Sequence, residues 1–232
     1  MLTSVNTIYF KSDWKIPFKQ SSTSSKPFYS DNATTNVTMM RQGNKLRYSE
    51  NKNLRLLEIP YAGDEYSMYV ILPHKRLNIK KLAELVNLEE IEVLQASASE
   101  HQVILQLPKF KIQTKIEAKQ NLSGMGVNSA FTPGLGGANF NKMINQKTDF
   151  AQIYISEIHH DTCIEVGEKG TEAATATATI HYAVRAAAAS REVPELVKFY
   201  ADHPFIFTIV HNPSETILFT GWVSDPASLD QN

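Results

Sequence analysis

The sequence predicts an α+β fold in which large sheets carry most of the chain and short helices sit between strands. Three observations predict it. Apolar and polar residues alternate over several long stretches. Two pairs of such stretches are joined by turn chemistry. Helical spacing appears only in short windows.

In chain order, the opening MLTSVNTIYFKSDW reads as a strand, with Val5, Thr7 and Tyr9 on one side and Ile8 and Phe10 on the other. Leu56–Pro73 is a hairpin: Leu56–Pro60, a turn over Ala62–Glu65, and a return strand over Ser67–Leu72. Ile79–Ser99 places Leu82, Leu85, Val86, Ile91 and Leu94 at helical spacing and reads as short helices broken near Asn87. Val103–Ile112 alternates as one strand, with Pro108 at an edge or bulge. Lys115–Met125 is helical, and TPGLGG over Thr132–Gly137 is a loop. Ala151–Val166 alternates long enough for a central strand, and Pro204–Val210 with Thr216–Val223 form a hairpin across His211–Ser214.

Composition narrows the function. The 232 residues hold 23 Lys plus Arg against 24 Asp plus Glu, a net charge of -1, so the electrostatic footprint of a nucleic-acid binder is missing. No apolar run is long enough to span a bilayer, so no membrane partner is expected. The single cysteine, Cys163, rules out an internal disulfide and cysteine-rich zinc sites. Adjacent His159 and His160 point to opposite faces of a strand, so no metal is expected there, and no cofactor is. No G-x-S-x-G elbow accompanies Ser156. Trp14, Tyr61 and the phenylalanines are core candidates. Asn32, Asn36 and Asn121 head N-x-S/T triplets, which accept glycans in secreted chains.

Gly167–Ser190 is the unusual segment. Its alanines favour helix, whereas Thr175, Thr177 and Thr179 recur at the strand period. From Thr171 to Thr179 nothing is larger than Glu172. As a strand, Thr171, Ala173, Thr175, Thr177 and Thr179 share one small, uncharged face. As a loop, the stretch is a long protease-accessible tether. Composition alone favours a plain linker or an exposed Ala-rich helix.

The flanking residues bring in a resemblance. Glu168-Lys169-Gly170-Thr171-Glu172-Ala173-Ala174-Thr175 resembles the proximal hinge of a serpin reactive loop. Phe199–Phe207, containing Asp202-His203-Pro204-Phe205, is similar to a signature of that family. Asn6–Trp14, Leu57–Tyr61, Leu107–Phe110, Gly126-Val127, Ala130-Phe131, Ile155-Ser156 and Leu218–Gly221 add matches in the family's order, and His160 matches too. Asp161 and Trp222 depart from the family pattern. The resemblance runs from Thr3 to Pro226 and implies a serpin fold with several sheets, peripheral helices and an exposed reactive loop at about 168–198. It also implies that residues 1–232 are part of that domain, without the family's N-terminal helical portion, and that this piece alone is unstable or aggregates.

The resemblance further implies a serine protease inhibitor with no catalytic group of its own. The cut loop inserts into the main sheet as an extra strand and carries the acylated protease along, by about 46 Å for fourteen residues at about 3.3 Å each. Counting from Gly170 puts the cut bond at Val184-Arg185. Val184 suits elastase-like enzymes, and Arg185, level with it, suits trypsin-like ones, as does Arg191 further along. A carrier, chaperone or storage relative, or an inactive fragment, is the competing expectation. The full-length protein is expected to be secreted and monomeric.

Overall fold

The computed structural model describes residues 2–31, 33–134, 136–143, 153–171 and 196–229. In chain order the strands are β1 (Leu2–Tyr9), β2 (Ser12–Asp13), β3 (Ser24–Tyr29), β4 (Thr34–Glu50), β5 (Leu54–Pro60), β6 (Tyr66–Pro73), β7 (Ser99–Pro108) and β8 (Phe110–Glu117). After them come β9 (Ile155–Val166), β10 (Gly170–Thr171), β11 (Val197–Tyr200), β12 (Phe205–His211) and β13 (Thr216–Val223). The helices are α1 (Ile79–Leu85), α2 (Leu88–Ser97), α3 (Ala118–Gly124) and the single turn α4 (Pro226–Leu229). The chain divides into two compact units, one of Met1–Phe10 with Ile112–Ile164 and one of Lys11–Lys111 with Glu165–Asn232.

In the first unit β1 lies parallel to β9. Thr3 through Tyr9 pair in step with Glu157 through Cys163, after one slip between Leu2 and Thr3. A parallel pair needs a long crossover, and here the partners are more than a hundred residues apart in sequence. β8 also pairs with β9. Val5 and Tyr9 look outward from β1, and α3 carries Asn121 at its surface.

In the second unit the strands run β11-β7-β4-β5-β6-β12-β13, with β3 beside β4. β5 and β6 pair from Leu54↔Pro73 to Pro60↔Ser67 around a turn in which Gly63 and Asp64 both take positive φ. Asp is one of the few non-glycine residues that tolerate this region, and Lys15 grips both carboxylate oxygens of Asp64 at 2.8 Å. Leu56, Leu57, Val70, Phe205 and Phe207 are fully buried, and Phe110 packs on Phe205 with ring centroids 5.9 Å apart. α1 and α2 close a satellite core through Leu82 and Leu94 against Leu54, Leu56, Ile71 and Val210. Each helix starts on an asparagine cap: Asn78 accepts from Lys81 N, and Asn87 accepts from Glu90 N, which is why the helical stretch breaks there.

Several expectations need correction. The stretch Val103–Ile112 is two strands, β7 and β8. Pro108 is the last residue of β7, paired with Met39 of β4; Lys109 N still donates to Thr38 O at 2.8 Å, and from Phe110 the chain joins β9 as β8. The helix expected from Lys115 begins at Ala118, because Lys115–Glu117 complete β8. The long strand expected from Ala151 begins at Ile155. β11 starts at Val197, inside the expected end of the loop. The seventeen residues of β4 went unread in the sequence because Asn36, Gly43 and Asn44 break its β propensity.

Candidate functional site at the root of the loop

Immediately after β1 the chain enters the second unit with Ser12, Asp13 and Trp14. Trp14 is buried and stacks on buried Tyr61, centroids 4.5 Å apart and planes 12° from parallel. Phe18 closes the cluster edge-on to Trp14. Large flat side chains suit this place because they bury area with few rotors, and the indole N–H keeps a partner. That partner is the Gly167 carbonyl, at 2.9 Å.

Residues 167–171 are fastened to this platform almost atom by atom. Trp14 N donates to Lys169 O at 2.7 Å, Phe18 N to Glu168 O at 2.8 Å, and Gly167 N closes a turn onto Gly170 O at 2.9 Å. Gly170 pairs with Asp13 and Thr171 with Ser12, antiparallel. On its other side Thr171 pairs with Val166, the last residue of β9. A Cβ at Gly170 would lie 2.1 Å from Ser12 O and 2.6 Å from Asp13 Cα, so the position admits only glycine unless backbone moves. Thr171 is fully buried, and its hydroxyl meets the Tyr61 hydroxyl at 2.7 Å. Burial pushes the Tyr61 phenol far up and the Thr171 hydrogen bond offsets only part of this, so the phenol stays neutral.

Glu168 faces the end of the β7–β8 turn. Its carboxylate lies 3.0 Å from Lys109 Nζ. Burial by itself raises its pKa, but the Lys109 hydrogen bond, its own backbone N–H and the Lys109 charge outweigh burial, and the pKa falls below 4.5. The carboxylate is therefore charged at neutral pH and ties the loop root to Lys109.

The remaining expected residues fall in two other places. Asn6 and His160 are direct partners across the β1–β9 pair and touch through Asn6 Nδ2 and His160 Nδ1 at 3.0 Å. His160 Nε2 meets Thr162 Oγ1 at 3.3 Å. His159 faces away and meets Glu157. Asp202, His203, Pro204 and Phe205 form a knot at the start of β12. His203 is buried, with Nδ1 2.7 Å from Asp202 Oδ1 and Nε2 3.0 Å from Pro73 O. This ring spans β6 and β12 and holds local structure. Asn36 and Asn121 are exposed. Glu172, Ala173, Ala174, Thr175, Val184, Arg185, Arg191 and Asn32 lie outside the described residues.

Sequence reasoning placed Trp14 and Tyr61 in the core without connecting them to the loop, and gave Lys109 no role. A lysine 59 residues from its carboxylate partner carries no local signal. The clue that existed was the aromatic Trp14 following so closely on a strand.

The family model described as "Serpin (serine protease inhibitor)" matches residues 1–226. The chain belongs to the serpin family. Among curated serpins, it is 34% identical over 230 residues to human (Homo sapiens) serpin I2, covering 97% of this chain and 53% of that protein. It is 36% identical over 232 residues to the leukocyte elastase inhibitor of Xenopus laevis, covering 97% of this chain and 58% of that protein. Of solved serpin structures, uncleaved ovalbumin superposes with a TM-score of 0.77 at 27% identity, over 97% of this chain and 54% of ovalbumin. The chain thus spans about half the length of the serpins it matches. Serpins are mostly inhibitors rather than catalysts, and the mixed sheets with few helices described above agree with part of a serpin fold.

Proposed function

We propose that the full-length protein is a serine protease inhibitor that works by inserting its cut loop between β9 and β1. One observation carries the reading: the pairing of Thr171 continues, in register, the pairing that β1 and β9 now make with each other. Thr171 stands opposite Val166 and Ser12 in antiparallel sense. Each further loop residue therefore falls one residue back along both neighbours. Residue 174 arrives opposite Cys163 and Tyr9, which are now direct partners. Residue 177 arrives opposite His160 and Asn6, also direct partners. An inserted strand would replace the existing ladder residue for residue, with no slip down to Thr3.

The faces agree with this reading. Residues paired across a sheet share a face, so Ala173 would lie beside Ile164, which is buried like Val166. Thr175, Thr177 and Thr179 follow on that inner face, and their small volume avoids overpacking. Glu172, Ala174, Ala176 and Ala178 take the outer face. The Asn6–His160 contact is the polar clasp that such an insertion must open.

The same register bears on the cut bond. β9 begins at Ile155, eleven residues before Val166, so it can pair with the loop from Thr171 to Tyr182. Val184-Arg185 lies just beyond that limit, where full insertion would leave the cut end at the far end of β9. Arg191 would leave a long unpaired tail. The proposal therefore takes the bond after Val184 or the bond after Arg185 as the bait. Elastase-like and trypsin-like enzymes are the target classes, through Val184 and Arg185 respectively. The similarity to the leukocyte elastase inhibitor of Xenopus laevis favours the former. The protein acts once per molecule and has no catalytic group of its own. Secretion belongs to the same proposal, with Asn36 and Asn121 as exposed glycan acceptors.

The test incubates the full-length protein with pancreatic elastase and with trypsin. A covalent complex that survives denaturation in detergent, with the loop cut after residue 184 or 185, is the expected result. Cleaved loop with no complex for either enzyme refutes the inhibitory reading for both classes.

A further inference from the structure

The loop is held at two ends. Thr171 fastens the near one, and β11 fastens the far one. β11 is an edge strand, parallel to β7 and paired with it from Val197↔Val103 to Tyr200↔Gln106. Ala201 N adds one bond to Gln106 O at 2.9 Å. A parallel ladder is slightly weaker per residue than an antiparallel one, and this one is short and single-sided.

Arg55 reinforces the far end from a strand that is not its neighbour. β7 and β4 stand between β5 and β11 in the sheet order. Yet the Arg55 guanidinium carbon lies 5.7 Å from the centroid of the buried Phe199 ring, and Nη1 donates to Lys198 O at 3.4 Å. The Tyr48 ring also meets Phe199, edge-on, with centroids 6.3 Å apart. No acid takes up the guanidinium. Glu50 is the direct cross-strand partner of Arg55, but Glu50 Oε2 accepts from the Tyr48 hydroxyl at 2.5 Å. None of the ion pairs among the described residues includes Arg55. Its Nε is buried and has no acceptor among the described residues. A cation that leaves the acid opposite it for a ring and a backbone carbonyl is placed to hold the strand that carries both, through a cation–π contact and a charge-assisted hydrogen bond.

A cut lets the loop insert by freeing one of its ends. Release of β11 from β7 would free the same end with the loop still whole. We propose that Arg55 is the latch on β11 and sets how long the uncut protein keeps its loop out of the sheet. The inference rests on the insertion reading and adds what restrains insertion before the cut. Arg55 acts here as a positioning residue, through β11.

The experiment uses the uncut full-length protein with two variants. Arg55→Met keeps bulk and loses charge and donors, while Arg55→Lys keeps the charge without the planar fork. Hydrogen exchange read by mass spectrometry reports on the β11 amides. In Arg55→Met they are expected to exchange about tenfold faster, as loss of one cation–π contact and one hydrogen bond implies. The β12–β13 hairpin is expected to keep its wild-type protection. On prolonged incubation the uncut Arg55→Met protein is expected to pass about tenfold sooner into a form that melts higher and whose loop resists an added nonspecific protease. Arg55→Lys is expected to fall between the two, and carries the same measurements should Arg55→Met fold poorly. Val103 and Val197 are direct partners. A disulfide between Val103→Cys and Val197→Cys, added to Arg55→Met together with Cys163→Ser, is expected to restore the wild-type lifetime until dithiothreitol is added. Unchanged exchange at β11, faster exchange throughout the protein, or faster exchange at β11 with an unchanged lifetime overturns the proposal. The insertion reading is scored separately on the wild type: a cut loop with no gain in melting temperature defeats it, while exchange at β11 still decides whether Arg55 holds the strand.

Discussion

The chain's one cysteine offers a way to lock the sheet. Tyr9 and Cys163 are direct partners in the parallel β1–β9 pair, and both are partly exposed. Neighbouring strands lie about 4.8 Å apart, within the roughly 4.4–6.8 Å between Cα atoms that a disulfide bridges. One inserted strand would double that spacing to about 9.6 Å, beyond what a disulfide can span. A Tyr9→Cys variant, oxidised and confirmed by mass spectrometry, is therefore compatible only with the sheet as it stands now. In the full-length protein the oxidised variant is expected to be cut by its protease as an ordinary substrate, without detergent-stable complex. Dithiothreitol is expected to restore complex formation, and a Tyr9→Cys, Cys163→Ser control to be insensitive to oxidation. Complex formation at wild-type yield with the crosslink intact would refute the reasoning, because the loop would then be inserting without parting these two strands.

Three further outcomes follow from the loop root. Gly170→Ala pushes a methyl against Ser12 and Asp13 backbone and is expected to cost about 1–3 kcal/mol in urea unfolding, the usual range for overpacking; an unchanged midpoint would show that the root has slack. Glu168 has its pKa lowered in the fold, so its contribution is present above the unfolded value near 4.5 and is lost as pH falls through the lower folded value. Acidification below about pH 4.5 is expected to destabilise the wild type more than Glu168→Gln, read from melting curves across that window; parallel curves would contradict the Lys109 tie. Thr171→Arg buries an unpaired charge beside Tyr61 and is expected to turn the inhibitor into a substrate, measured as the ratio of cleaved to trapped product.

Much of this was legible in the chain because local chemistry and final environment agree. The Leu56–Pro73 hairpin has alternation on both arms and Gly63-Asp64 at the turn, and it forms with one or two residues more on either side. The break at Asn87 was readable because an asparagine cap is a local device. The hinge could be named from Gly170 and Thr171, yet the reason for the glycine could not. The atoms it would strike belong to Ser12 and Asp13, more than 150 residues upstream. Lys109 was invisible for the same reason. β4 escaped because its pairing with β3, β5 and the sequence-distant β7 overrides a sequence with glycine and asparagine at mid-strand.

Thermal melting of the full-length protein before and after a single cut in the loop tests stored strain most directly. With the cut strand filed between β9 and β1, the cleaved form should melt well above the intact one. Identical melting temperatures, with the cut verified and the fragments still associated, would contradict the account.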